Sequence, residues 1–221
     1  MLETTAAEVP APAPGPGLTS GRWARRGNTA SNLMLALLFF SGAIPTVQRY
    51  HDSVADLIWV IGAILMGLFS LVRIAPKQSA VNVRSISATA GMMMIPLLIM
   101  PSAPSVGFIY QTGVVIESIG VIFTQVSRVF LGRRFGLLPA NRGIVSSGPF
   151  RLVRHPIYLG WIALTVGYSM IYPSARNMLT VFIILPFMMW RIEQEEELLR
   201  EDDEYRAYMK LVPYRLIPFV F

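Results

Sequence analysis

The chain has 221 residues, 53% of them hydrophobic and only 14% charged, with a mean hydropathy of +0.52. Soluble domains carry about 25% charged residues, so the composition excludes an ordinary soluble enzyme and points to an all-α integral membrane protein. The lack of cysteine excludes disulfides, a thiolate nucleophile and a Cys-ligated metal, and no metal site is expected. A net charge of +6 invites nucleic acid as a partner, but the arginines follow membrane topology instead.

In chain order, residues 1–31 come first, rich in Pro, Ala and Gly ("APAPGPG"). They lack the basic-then-apolar order of a signal peptide and are expected to form a disordered cytoplasmic tail. Apolar segments follow near 32–48, 54–75, 86–101, 106–127, 156–172 and 177–190, divided by turn chemistry such as "PSAPS" and "YPSARN". A crossing needs about 20 mainly apolar residues. Some segments are shorter, which allows tilt or a partial span. Five to six transmembrane helices are predicted, with 32–105 forming the N-terminal set and a cytoplasmic helical segment at the C-terminus. No internal repeat and no second soluble domain is evident. Counted over alternate tails and loops, Lys and Arg number 17 on one side and 2 on the other. The positive-inside rule then makes both termini and the 128–155 loop cytoplasmic and puts His51 on the opposite face.

Two cytoplasmic stretches carry polar chemistry. In "RLVRHPIYLG", 151–160, Pro156 suits the first position of a helix and His155 the cap before it. Arg151, Arg154 and the free N–H groups of that first turn would favour an anion; belt residues at a membrane interface are the plainer reading. In "RIEQEEELLREDDEYRAYMKLVPYRLIP", 191–218, eight of the chain's 13 acids lie between Glu193 and Glu204. A helix continuing out of the membrane would group Glu195 with Leu199 on one face. Acids so close to anionic headgroups call for a cationic partner, either the arginines of 128–155 or a charged ligand.

"GPFRLVRHPIYLG", then "RIEQEEELL", then Tyr205 three residues before Tyr208 and a closing "VPYRLIP" resembles the isoprenylcysteine carboxyl methyltransferase family, a relative of the phospholipid N-methyltransferases. The likeness runs from about Gly113 to Pro218. It implies a methyltransferase core over 106–221 that binds S-adenosylmethionine in a cytoplasm-facing pocket. By position, the cofactor-binding residues fall on Arg154, His155, Pro156, Tyr158, Gly160, Arg191, Glu195, Glu196, Tyr205 and Tyr208. The catalytic positions fall on Arg154, Glu196 and Arg215. Methionine's carboxylate would meet Arg154 and His155, and its ammonium or the ribose hydroxyls would meet Glu195 and Glu196. The pattern is altered in that "REDDEY" replaces a longer phenylalanine–glycine stretch and Phe150 replaces a tyrosine. Glu117 sits mid-span, where an ionisable group suggests function; a cationic headgroup or Arg128, three turns on, is its candidate partner.

Methyl transfer from a sulfonium needs alignment and desolvation above all. A carboxylate acceptor needs no base, an amine must lose a proton, and a thiol must ionise. No Cys–His or carboxylate–His pair is evident along the sequence, which favours a carboxylate or a self-ionising thiol. The carboxylate of a prenylcysteine-like acceptor is expected, with phospholipid N- or thiol S-methylation as the alternative. The acceptor is expected to be lipophilic and to enter from the bilayer; the Met-rich "GMMMIPLLIM" offers an adaptable lining for that path, with lipid-facing packing as the plainer reading. The partners expected are that substrate and membrane lipid, with no nucleic acid, in a membrane of bacterial inner type. A glycine-rich dinucleotide fingerprint is absent. The rival readings are a membrane NADPH-dependent sterol-type reductase and a non-catalytic scaffold.

Overall fold

The computed structural model describes residues 29–30, 32–37, 39–40, 54–79, 82–98, 102–136 and 138–220, without the side chains of 54–59 and 93–97. His51 and nearly all of the 1–31 tail lie outside the described residues. The chain is helical wherever it is described between 29 and 40, a stretch we label α1. Then come α2 (Val54–Leu71), α3 (Val83–Leu98), α4 (Gly107–Leu131), α5 (Pro156–Ile171), α6 (Ala175–Leu199) and α7 (Asp203–Leu211). Two residues of β1 (Gln78–Ser79) pair antiparallel with β2 (Ala140–Asn141), tying the α2–α3 connection to the α4–α5 loop.

Among the described residues, two helices are long and apolar enough to cross a membrane: Gly107–Arg134, which includes a closing 3-10 turn, and Ala175–Leu199. Val60–Leu71 and Pro156–Ile171 are apolar but shorter. At 1.5 Å per residue, the 16 residues of α5 rise about 24 Å, short of a hydrocarbon core of about 30 Å. The expected five to six crossings therefore depend on helices that must tilt or span in part. Both long helices expose large apolar side chains, Phe108, Ile119, Val126 and Val129 on α4 and Leu179 and Phe182 on α6. Water would oppose a face of this kind and lipid would not.

Close packing of α4 on α5 fixes the scaffold. Gly113 and Gly120 on α4 face Gly167 and Gly160 on α5, seven residues apart on each helix. A methyl at Gly160 would sit 2.9 Å from the Gly120 carbonyl oxygen, and one at Gly167 would sit 2.7 Å from that of Gly113. Small residues let the two backbones meet, as membrane helix pairs require. On the other side α3 packs on α6, where Met92, Ile184, Met188, Ile192 and Leu216 form a buried cluster. Met92, from the Met-rich stretch, is thus a core residue.

Local chemistry sets the helix boundaries. Pro156 opens α5 with His155 as its N-cap residue, as the sequence suggests, at φ −123° and ψ 60°. The Ser174 hydroxyl accepts the Asn177 N–H at the start of α6, and Asp202 accepts the Glu204 N–H before α7. The short "REDDEY" stretch is therefore a turn and a cap. Eleven residues, about 16 Å of helix rise, separate Glu117 from Arg128, too far for direct pairing. Arg128 is buried and donates to Gln125, and α5 closes against the Glu117 backbone at Gly167.

Candidate active site

A cavity opens where the α4–α5 loop, the start of α5, the end of α6 and α7 converge. Its cavity volume is about 160 Å³, inside a recess of about 930 Å³ that includes open solvent; the enclosed part is smaller than a typical ligand pocket. Its lining includes Arg134, Arg142, Phe150, Arg154, His155, Pro156, Tyr158, Glu195, Tyr205 and Tyr208. Gly143, at φ 96°, turns the loop into the wall, with its N–H bound to the Asn141 side chain at 2.9 Å.

Helical periodicity sorts the four glutamates of α6. Glu193 and Glu197 are exposed, Glu195 is half-buried and Glu196 is completely enclosed. Glu196 Oε1 accepts from Arg154 Nε at 2.8 Å and faces His155 Nε2 at 3.2 Å. Its Oε2 accepts from Arg200 Nη2 at 2.9 Å and from Arg215 Nε at 3.1 Å. Arg154 Nη1 also donates to the carbonyls of Val212 and Pro213. The Arg154 and His155 N–H groups bind the carbonyls of Tyr214 and Arg215. One carboxylate thus locks the turn before α5, the end of α6 and the C-terminal segment together.

Glu195 faces the cavity. Its Oε1 accepts from Tyr158 OH and from Arg191 Nη2, each at 2.9 Å, and Oε2 stands 3.7 Å from His155 Nδ1. Arg191 is itself held by Thr89 of α3 at 2.7 Å. The His155 and Tyr158 rings stack with centroids 5.7 Å apart. In α7, the Tyr208 hydroxyl donates to the Phe150 carbonyl at 2.6 Å, whereas the buried Tyr205 hydroxyl has no partner among the described residues. Burial pushes both phenols well above their ordinary value, helped at Tyr205 by the Glu196 charge, so both remain neutral donors.

The structure brings most of the motif residues together but divides them. Arg154, His155, Pro156, Tyr158, Glu195, Tyr205 and Tyr208 line the cavity. Glu196, Arg191, Arg215 and Gly160 do not. Glu196 and Arg215 lie behind the wall as an ion cluster, Arg191 steadies Glu195, and Gly160 packs against α4. Arg154 spends Nε on Glu196 and Nη1 on two carbonyls, which leaves Nη2 as its donor for a ligand. The N–H groups of Tyr158 and Leu159 return to the His155 carbonyl, so the first turn of α5 offers fewer free donors than its sequence suggests. The structure also supplies the carboxylate–His pair that the sequence hid, because His155 and the two glutamates lie about forty residues apart and meet only in the fold. Sequence reasoning missed Arg142. The signal was its "NRG" turn, a shape that a loop needs when it must face inward.

Residues 104–202, just under half of the chain, match the family of phospholipid methyltransferases. No match was found among curated proteins. The matched stretch runs from the approach to α4 through the cavity loop, α5 and α6, and so includes Arg154, His155, Tyr158, Glu195 and Glu196. It stops before Tyr205, Tyr208 and Arg215. The likeness is thus to the phospholipid methyltransferases, which are relatives of the isoprenylcysteine enzymes.

Proposed function

We propose that the protein is a membrane methyltransferase that uses S-adenosylmethionine and acts on a lipid-borne acceptor, with an amine headgroup as the favoured nucleophile. The observation that carries this reading is His155, set in the cavity wall between Glu195 and Glu196 within the matched stretch. The donor set fits the cofactor: a carboxylate for an ammonium or ribose hydroxyls, aromatic faces for an adenine or a sulfonium, and an orphaned buried hydroxyl at Tyr205. When bound, S-adenosylmethionine supplies a methyl group activated by a positive sulfur.

The chain's own residues then have separable tasks. Glu196, saturated by three guanidiniums, accepts from His155 Nε2–H and so leaves the Nδ1 lone pair free. That nitrogen takes the proton an amine must shed before it attacks. Glu195, steadied by Arg191 and Tyr158, holds a cationic group beside it. Arg154 and Arg215 position Glu196 and do not touch substrate. The apolar flanks of α4 and α6 give a lipophilic acceptor its route from the bilayer, and the excess of Lys and Arg on one side supports a cytoplasmic site.

The anionic acceptor of the prenylcysteine type is the second reading, favoured by the surplus of cations around the cavity. Transfer of labelled methyl groups by protein in lipid nanodiscs decides between them. Label in phosphatidylethanolamine, lost in His155→Ala, is the expected result. Label in S-farnesylcysteine alone would give the carboxylate reading. No transfer to either, in protein that binds no S-adenosylhomocysteine or that takes NADPH instead, would overturn the proposal.

A further inference from the structure

One group in the cavity wall has no task in this account. Arg142 is 8% exposed, its Nε donates to the Ile74 carbonyl at 2.9 Å, and its Nη1 is buried with no hydrogen-bond partner. Among the described residues no carboxylate lies within 4.0 Å of it. The Ile74 bond anchors the head of the side chain, and Gly136 leaves room for it: a methyl there would stand 2.9 Å from Nη1. The free donor is therefore held in place. Burial, and to a lesser degree the Arg73 cation, push the guanidinium down from its ordinary value. Tyr205, whose buried hydroxyl is the second orphan, lines the same cavity, and Ile144, two residues beyond Arg142, packs against the Tyr205 cluster. Arg134 adds an exposed cation at the rim, beside Gly143.

An unpaired buried cation is costly, and a carboxylate or phosphate oxygen relieves that cost where a water molecule, which brings no charge, relieves it only in part. We propose that Arg142 Nη1 and Tyr205 OH form an oxyanion subsite of the cavity, binding a phosphate or carboxylate oxygen of a ligand. The subsite rests on the reading of this cavity as the ligand site. Two sources carry such an oxygen: the amino-acid end of the methyl donor and the phosphate of a lipid acceptor. Arg154, the residue the motif offers for this task, has Nε and Nη1 bound within the protein and only Nη2 left.

The test is calorimetric binding to full-length protein in detergent, wild type against Arg142→Gln and Tyr205→Phe. The probes come in pairs that differ in the oxyanion: S-adenosylhomocysteine with methylthioadenosine, and dihexanoyl phosphatidylethanolamine with dihexanoylglycerol. Arg142→Gln is expected to weaken one oxyanion-bearing probe by about tenfold or more, the scale of a hydrogen bond to a charged group, and to leave its counterpart within about twofold. The probe affected identifies the source. Apo Arg142→Gln is expected to melt close to wild type, since removal of an unpaired charge offsets loss of the bond to Ile74; Arg142→Lys serves if that variant fails to fold. Equal binding by wild type and variant, or equal loss across both members of each pair, would overturn the subsite. Wild type that ignores S-adenosylhomocysteine while the phospholipid arm responds would overturn the methyltransferase reading and leave the subsite standing.

Discussion

Glu196 and Arg142 are both buried beside one cavity, and their surroundings are opposite. Glu196 has four donors on its two oxygens, while Arg142 has a donor and nothing to receive it. The back of the site is saturated, so it is rigid and closed to ligand. The loop wall is unsatisfied, so it is poised for one. Polar groups inside a protein do two different jobs, and hydrogen-bond satisfaction tells them apart better than residue type does.

The contrast can be tested from its strong end. Glu196→Gln leaves three guanidiniums facing an amide and is expected to cost about 3–5 kcal/mol in denaturant unfolding, with activity lost through misassembly. Glu195→Gln, one residue away and partly exposed, is expected to stay within about 1 kcal/mol of wild type and to lose S-adenosylhomocysteine affinity instead. If both variants unfold alike, the division between the two walls is wrong.

Gly160→Ala comes next, at about 1–3 kcal/mol for overpacking against α4. Its folded fraction should bind S-adenosylhomocysteine normally, and a selective loss of binding would return Gly160 to the pocket.

The two tyrosines of α7 repeat the contrast on a smaller scale. Tyr208→Phe removes the bond to the Phe150 carbonyl and should cost about 1 kcal/mol, while Tyr205→Phe, losing a hydroxyl with no partner, should cost nothing in the apo protein. Equal destabilisation by the two would mean that the Tyr205 hydroxyl is satisfied after all.

The smallest effect concerns Asp202. Its carboxyl is held below its ordinary 3.8 by the Asn141 side chain, the Glu204 N–H and Lys77. A depressed acid stabilises the fold above its unfolded value, and that contribution is lost as pH falls through the folded one. Melting curves between pH 5 and 2, about the range in which an aspartate titrates, should fall more steeply for wild type than for Asp202→Asn. Parallel curves would remove Asp202 from the strap that joins the β1–β2 loops to α7.

Much of the site could be read directly because it is local. Proline at the first position of α5, His155 before it and glutamates on a helix continuing from an apolar span all follow from neighbours within one or two turns. What could not be read was which glutamate faces inward. Glu195 and Glu196 are adjacent and chemically identical, and a 100° turn of the helix sends one to the cavity and the other into the ion cluster. Arg142 was hidden for the same reason, since in a loop between apolar segments an arginine reads as a topology signal until the β1–β2 pairing and Gly143 turn it inward.

Composition and spacing by themselves determined that the chain is a helical membrane protein, where its long apolar helices run and which motif residues cap them, because these depend on solvation and on contacts within a helix. The tertiary structure alone decided that Gly160 serves packing, that Arg154 and Arg215 serve Glu196, and that His155 gains carboxylate neighbours. These depend on groups 19 residues apart for Arg215 and about forty for the others, and no local rule fixes how helices that distant are rotated against one another.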